Sequence, residues 1–143
     1  MNLVYNVPTV LKLREAVGDI IGLNLDPSHV FFMGGDPIMM ARKLCEEKAV
    51  YHVHGKDSRI NAHIKGLDCY EQGAYNGPAV NRSWNYVAVG YGHDALWWKT
   101  FFAALAEGDY HGPVSIEVED PLMPDNLVAI RKSAAFLHET MLK

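Results

Sequence analysis

Apolar and polar residues alternate in four short segments of the chain, and this alternation predicts four β-strands. The predicted strands are Ile20–Asp26, Val50–Asp57, Tyr86–Gly90 and Pro113–Glu119. Around them, apolar residues recur at helical spacing behind a proline or an aspartate that would start a helix. The predicted helices are Pro8–Val17, Pro37–Glu47, Asp94–Glu107 and Asp125–Leu142. Because helices and strands alternate, the pattern predicts an α/β fold with a parallel sheet and crossover helices.

The long segment Ile60–Asn85 has no clear period and is rich in glycine and asparagine, which predicts a loop or lid. Elsewhere, no linker interrupts the pattern. The 143 residues are 49% hydrophobic and 21% charged, values that are ordinary for globular proteins. We therefore expect a single domain over residues 1–143 with a sizeable core.

Charge and composition narrow the classes of partner and location. The formal net charge is −4 and the lysines and arginines form no cluster, so nucleic acid is not the expected partner. No apolar run reaches the roughly 20 residues that span a membrane, and the first residues lack a signal-peptide pattern. Cys45 in a predicted helix and Cys69 in the polar segment favour a reduced, cytoplasmic protein over a disulfide scaffold.

Three of the four predicted strands carry polar residues on one face, because alternate side chains of a strand point the same way. These polar sets are Asn24 and Asp26, then His52, His54 and Lys56, and finally Ser115, Glu117 and Glu119. Burying such groups without partners costs several kcal/mol. The polar face is therefore either exposed to water or occupied by a ligand that compensates this cost.

Asp26, His54 and Glu117 stand at or near the carboxyl ends of their strands. In parallel α/β proteins these ends meet at one rim, where reaction sites collect. Two carboxylates and an imidazole together predict a site for a divalent metal such as Mn²⁺, Mg²⁺, Co²⁺ or Zn²⁺. Taken singly, Asp26 could instead cap a helix, His54 could be a buried histidine satisfied by a neighbour, and Glu117 could lie on a solvated edge.

Three further residues are candidates for substrate contacts at the same rim. His29 follows Asp26 by three positions, while Lys56 and Arg59 lie at and just past the end of the second strand. The cationic side chains of Lys56 and Arg59 could bind a phosphate or a sugar hydroxyl. The alternative for these two residues is that they lie in a solvated loop.

Four motifs resemble those of a known family, and they follow one another in the same order and with similar spacing as in that family. They are GLNLDPSH, YHVHGKDSRIN, RSWNYVAVGYGHD and VSIEVEDPL. From about Tyr5 to Leu142 the chain resembles the last half of the sugar phosphate isomerase/epimerase family, the xylose isomerase-like TIM barrels. The resemblance implies a partial TIM barrel, one half of the full fold, with four parallel strands and crossover helices. It also implies a divalent metal bound by Asp26, His54 and Glu117, with Glu119 as the competing choice for the last ligand.

The same resemblance implies an activity. Family members move a proton between adjacent carbons of a sugar, sugar phosphate or related polyol through an enediolate-like intermediate, while the metal polarises the substrate oxygens. By this resemblance Glu117 is one of the two catalytic acids, and His29 and Arg59 match substrate-contacting positions. The expected ligands are thus a divalent metal and a small-molecule sugar or sugar phosphate.

The chain departs from the family pattern at its beginning. The family's first metal ligand, a glutamate on the fourth strand, precedes the segment that matches Asn2–Asn6, so the strands here correspond to half a barrel. Half a barrel exposes two strand edges and its interior face, which predicts a homo-oligomer or a partner half-barrel. Two other functions stay open: a non-catalytic, truncated family member that folds by oligomerisation, and a metal-dependent phosphodiesterase or endonuclease on the same barrel plan.

Overall fold

The computed structural model describes residues 3–70 and 77–141. In chain order its elements are α1 (Val7–Val17), β1 (Leu23–Leu25), α2 (Pro27–Phe32), α3 (Pro37–Glu46), β2 (Val50–Gly55), β3 (Asp57–Ile60), α4 (Ala62–Asp68), β4 (Trp84–Val87), α5 (Ala95–Glu107), β5 (Val114–Ile116) and α6 (Asn126–Thr140). A short 3₁₀ turn, Ala79–Asn81, precedes β4. None of the helices within these described ranges has the length and apolar character needed to cross a membrane.

Side-chain caps mark the beginnings of the predicted helices. Asn6 and Thr9 form a reciprocal capping box at the start of α1. Asp36, Asp94 and Asp125 each accept hydrogen bonds from backbone N–H groups in the first turns of α3, α5 and α6. Such caps satisfy donors that a helix leaves unpaired, and each contributes about 1 kcal/mol. The four predicted helices are confirmed, and their described ends lie close to the predicted bounds.

Three strands form a parallel sheet in the order β1–β2–β5. Asn24 of β1 is in register with His52 of β2, and His54 of β2 is in register with Ser115 of β5. Side chains in register on neighbouring strands share a face, so the polar positions of the three strands lie side by side. The predicted α/β fold with a parallel sheet is confirmed, and it is consistent with part of a TIM barrel.

The third predicted strand, Tyr86–Gly90, does not join the parallel sheet. Instead, β4 pairs antiparallel with β3 in a separate two-stranded sheet. The reason is that side-chain oxygens, rather than a neighbouring strand, bind the backbone N–H groups that follow β4. The N–H of Ala88 donates to Asp120, and the N–H of Val89 donates to Ser133. The N–H groups of Gly90, Gly92 and His93 all donate to Asp57. The prediction of four parallel strands is corrected to three, with an antiparallel pair beside them.

The segment predicted as a loop or lid, Ile60–Asn85, contains regular structure. It includes α4, which begins after its cap Asn61, as well as the 3₁₀ turn and the start of β4. The short helix α2 is also absent from the predicted elements. Residues 71–76 of the segment, and the predicted helix end at Leu142, lie outside the described residues.

The hydrophobic core lies between the parallel sheet and the helices. Leu25 and Val53 of the sheet belong to one buried cluster with Leu44 of α3 and with Trp98 and Phe101 of α5. Removing side chains of this size from water stabilises the fold by about 2 kcal/mol each. Because the apolar side chains of the strands pack towards the helices, the polar ones remain on the opposite face, where the candidate site lies.

Candidate metal centre

Asp26 lies at the junction of β1 and α2 and is largely buried. Its Oδ1 accepts hydrogen bonds from the Ser28 N–H at 2.9 Å and the Ser28 hydroxyl at 2.6 Å, so this oxygen caps α2. Its Oδ2 lies 3.3 Å from Nδ1 of His54. The helix cap and the metal ligand, which the sequence leaves as alternatives, are therefore compatible, because each uses a different oxygen.

His54 lies near the end of β2 between the two acidic residues. Its Nδ1 is 3.3 Å from Oδ2 of Asp26 and 2.8 Å from Oε2 of Glu117. Its Nε2 is 3.1 Å from the amide nitrogen of Asn24 on the neighbouring strand. As placed, the amide N–H of Asn24 donates to Nε2, which leaves the ring proton on Nδ1, facing the two carboxylates. A metal ion at Nδ1 requires the proton on Nε2, and the Asn24 amide would then have to turn so that its carbonyl oxygen accepts from that N–H group.

Glu117 follows β5 directly, and its backbone N–H donates to the carbonyl of Gly55 at 3.3 Å. Its two carboxylate oxygens face different partners: Oε2 faces His54, and Oε1 accepts a hydrogen bond of 2.7 Å from Lys56. The hydrogen bond from Lys56 holds the pKa of Glu117 below its ordinary value, against the opposing effect of partial burial. Glu117 is therefore a carboxylate at neutral pH, as a metal ligand must be.

Lys56 is the buried cation of the centre, with 2% of its side chain exposed. Its ammonium donates to Glu117 at 2.7 Å and to Glu119 at 3.2 Å, and it lies 4.1 Å from the centre of the Tyr86 ring. Burial lowers the pKa of Lys56, but the two carboxylates outweigh this effect and leave the pKa above its ordinary value. Lys56 is thus a protonated partner of Glu117, while its predicted role as a substrate contact stays a prediction.

The three predicted ligands come together in a geometry that suits a cation. Ligand atoms of Asp26, His54 and Glu117 all lie within 4.8 Å of one another. Ligand atoms that share one ion at about 2.0–2.2 Å lie at most about 4.4 Å apart, so small side-chain movements would bring these atoms into coordination. Two carboxylates and one imidazole suit Mn²⁺, Mg²⁺, Co²⁺ or Zn²⁺, and three protein ligands leave coordination positions for other oxygens.

The remaining predicted site residues lie at different distances from this cluster. Nε2 of His29 is 3.5 Å from Oδ2 of Asp26, and its Nδ1 is 3.1 Å from the Tyr86 hydroxyl, so His29 belongs to the same rim. Arg59 is exposed on β3, in register with Asn85 of β4. Glu119, the competing choice for the last ligand, contacts Lys56 and lies outside the ligand cluster.

Two residues that shape the centre, Asn24 and Tyr86, are not among the predicted site residues. Asn24 is on the polar face of its strand, and this position is the signal that could have marked it as a partner of His54. Tyr86, which contacts both His29 and Lys56, gives no such signal, because its place depends on the antiparallel pairing of β4 with β3.

Comparisons with known proteins agree with this architecture. The model of the xylose isomerase-like TIM barrel family matches residues 1–140. The uncharacterized protein YfiH of Bacillus subtilis (strain 168) is 48% identical over 140 residues, which are 97% of this chain and 44% of YfiH. The chain therefore spans less than half the length of this curated relative. From its fold, its rim of strand-end ligands and this match over nearly its whole length, the chain belongs to the xylose isomerase-like TIM barrel family.

Proposed function

We propose that this chain carries the metal centre of an isomerase or epimerase that acts on a sugar, a sugar phosphate or a related polyol. The observation that carries the proposal is the convergence of Asp26, His54 and Glu117 at one rim of the parallel sheet, with ligand atoms within 4.8 Å. The ion would be Mn²⁺, Mg²⁺, Co²⁺ or Zn²⁺, held by these three side chains. Membership of the xylose isomerase-like family supports chemistry on carbohydrates.

The proposed mechanism assigns proton transfer to Glu117. A divalent ion at this rim supplies Lewis-acid polarisation of substrate carbonyl and hydroxyl oxygens. Glu117 accepts a proton from the carbon next to the carbonyl, and the electron pair left behind forms an enediolate-like intermediate. For the isomer, the proton returns to the former carbonyl carbon while the hydroxyl proton of the neighbouring carbon moves to the former carbonyl oxygen, which makes the neighbouring carbon the new carbonyl. For the epimer, a proton returns to the carbon that lost it, from the opposite face. Lys56 fixes the orientation of Glu117 by holding Oε1 at 2.7 Å.

His29 and Arg59 are the proposed substrate contacts. The His29 ring is held by the Tyr86 hydroxyl on one side and by Asp26 on the other, and its side chain is partly exposed at the rim. With Nδ1 held by Tyr86, Nε2 would hydrogen-bond a substrate hydroxyl next to the ion in place of its 3.5 Å contact with Asp26. Arg59, which is exposed on β3, would reach the substrate from the neighbouring two-stranded sheet.

Titration with Mn²⁺ tests the metal centre. His54→Ala removes a ligand and should weaken Mn²⁺ binding by about tenfold or more. His52→Ala is the matched control, because His52 lies on the same strand and face but bonds to Ser115 at 2.9 Å. The control should leave the Mn²⁺ affinity within about twofold of wild type. Equal affinities for wild type and His54→Ala, measured by calorimetry, would contradict the centre.

Solvent exchange tests the chemistry. The Mn²⁺-loaded chain is incubated in D₂O with D-fructose, D-glucose and their phosphate esters, and deuterium on carbon is followed by NMR. Because Glu117 exchanges the abstracted proton with solvent, wild type should label the carbon next to the carbonyl. Glu117→Gln should slow labelling by about 100-fold, whereas Glu107→Gln, at an exposed position on α5, should not.

Metal binding without exchange would instead support a non-catalytic family member. A phosphodiesterase or endonuclease is disfavoured, because the net charge of −4 and the carboxylates at the rim repel nucleic-acid phosphates. The cytoplasmic location stays a prediction from the cysteines.

A further inference from the structure

We infer that the Tyr86 hydroxyl donates a hydrogen bond to Nδ1 of His29, so that Nε2 of His29 offers an N–H donor to a substrate oxygen at the rim. Tyr86 is then a positioning residue, since it acts through His29 rather than on the substrate. The part that this arrangement plays in the reaction rests on the proposed function, whereas the direction of the hydrogen bond does not.

The two polar contacts of His29 fix the position of its ring proton. Nδ1 lies 3.1 Å from the Tyr86 hydroxyl, and Nε2 lies 3.5 Å from Oδ2 of Asp26. A tyrosine hydroxyl can donate or accept, whereas a carboxylate only accepts. A proton on Nδ1 would leave the lone pair of Nε2 facing the carboxylate, which is an unfavourable contact between two acceptors. A proton on Nε2 satisfies both contacts, with Tyr86 as the donor to Nδ1.

Neighbouring aromatic rings hold the Tyr86 side chain in place. Tyr86 and Trp84 lie on the same face of β4, and their rings meet edge to face with centres 5.0 Å apart. Phe32 of α2 stacks on Trp84 at 4.0 Å, and the His29 ring approaches the Tyr86 ring edge-on at 5.5 Å. Aromatic pairs prefer these two arrangements. The hydroxyl of Tyr86 therefore keeps its place beside His29 through packing within the chain.

Lys56 favours the same direction from the other side of the Tyr86 ring. Its ammonium is buried and lies 4.1 Å from the centre of that ring. A cation over an aromatic face draws electron density towards itself, and this polarisation makes the attached hydroxyl a stronger donor. The charges of Lys56 and Asp26 thus both favour a hydrogen bond that runs from Tyr86 to His29.

An oriented N–H donor has a use in the proposed reaction. As Glu117 removes the proton from carbon, negative charge develops on the carbonyl oxygen of the substrate. A donor that is already aimed at such an oxygen stabilises the charge without reorganisation, and a neutral imidazole can serve as this donor. The proton stays on Nε2 throughout. Because 43% of the His29 side chain is exposed, a substrate can reach this group.

The direction of the hydrogen bond is measured by ¹⁵N NMR of the imidazole rings, with and without the diamagnetic ion Mg²⁺. Spectra are recorded at about pH 8, above the ordinary pKa of histidine, and the His29 resonances are identified by their loss in His29→Gln. We expect a protonated Nε2 and an unprotonated Nδ1. Tyr86→Phe should move the Nδ1 resonance towards that of a ring nitrogen that accepts no hydrogen bond. A proton on Nδ1 in wild type, or an unmoved Nδ1 resonance in Tyr86→Phe, would overturn the inference.

Kinetics of solvent exchange test the role in the reaction. Tyr86→Phe keeps the ring beside Lys56 and removes only the hydroxyl, so kcat for deuterium labelling should fall by about tenfold. KM and the Mn²⁺ affinity should stay within about twofold of wild type, because the hydroxyl acts on the transition state through His29. Equal labelling rates in wild type and Tyr86→Phe would overturn this role.

Tyr51→Phe is the matched control. The Tyr51 hydroxyl donates to the carbonyl of Asp19, and the side chain lies on the opposite face of β2 from His52 and His54. The control should change neither the labelling rate nor the His29 resonances, and circular dichroism should show that both variants fold. If wild type labels no substrate, the proposed function fails, and the NMR spectra alone then decide the direction of the hydrogen bond.

Discussion

Asp26 divides its carboxylate oxygens between two tasks. Oδ1 caps α2 through the Ser28 N–H and hydroxyl, and Oδ2 lies 3.3 Å from His54 at the rim. The two bonds to Ser28 hold the carboxylate in one orientation, so the ligand oxygen is aimed before any ion arrives. Groups that orient a ligand in this way commonly change metal affinity by about 10–100-fold.

The two tasks of Asp26 can be separated by one substitution. Asparagine caps helices as well as aspartate does, but its neutral amide is a poor metal ligand. Asp26→Asn should therefore weaken Mn²⁺ binding by about tenfold or more. The same variant should change the free energy of unfolding by less than about 1 kcal/mol. Calorimetry and urea unfolding measure the two effects, and a large loss of stability with unchanged Mn²⁺ affinity would leave Asp26 only its capping role.

At the scale of elements, Asp57 organises the turn that follows β4. Its Oδ2 accepts hydrogen bonds from the backbone N–H groups of Gly90, Gly92 and His93. Its Oδ1 accepts from the Ser58 N–H and lies 2.8 Å from Nδ1 of His93. A side chain at position 92 would collide with the carbonyl oxygen of Ser58, so the close approach requires glycine. The fully buried carboxylate of Asp57 thus replaces the backbone hydrogen bonds that a neighbouring strand would have provided.

Removal of this carboxylate should destabilise the whole domain. Asp57→Ala leaves the buried Ser58 N–H and the partly buried N–H groups of Gly90, Gly92 and His93 without an acceptor. An unsatisfied buried donor costs about 1–3 kcal/mol. We expect a loss of about 3 kcal/mol or more in the free energy of unfolding. Asp68→Ala, at an exposed position on α4, should stay within about 0.5 kcal/mol of wild type. Urea unfolding compares the two, and a similar small loss in both would contradict the role of Asp57.

Elements were predictable where their signals are local. Apolar residues at helical spacing, together with a capping residue before the first turn, indicate the helices α1, α3, α5 and α6. The pairing of β4 was not predictable, because it depends on Asp57 and on Asp120 and Ser133, which lie far along the chain from the groups they bind. The convergence of Asp26, His54 and Glu117 was predictable because parallel strands end at one rim. The burial of Lys56 was not predictable, because it depends on how β4 places Tyr86 beneath it.

For the molecule as a whole, a bound ion should link the strands of the parallel sheet. Its ligands come from the ends of β1 and β2 and from the residue after β5, and this arrangement exists only in the folded chain. An ion that binds only the folded state at 100 times its dissociation constant stabilises by about 2.7 kcal/mol.

Thermal unfolding measures this linkage. Mn²⁺ at that excess should raise the unfolding midpoint of wild type by several degrees, and a chelator should reverse the shift. His54→Ala should gain little, while His52→Ala should gain as much as wild type. A shift of the same size in His54→Ala would place the stabilising ion elsewhere.

The direct pairing of β2 with β5 has a consequence for the distance between the ligands. Neighbouring strands are separated by roughly 4.8 Å, so an intervening strand would have held His54 and Glu117 roughly 9–10 Å apart. The chain instead carries its fourth strand away from the sheet, and these two side chains approach to 2.8 Å. A shared ion between them is therefore possible because β2 and β5 are direct neighbours, and a homologue with a strand inserted between them would have to take this ligand from another place.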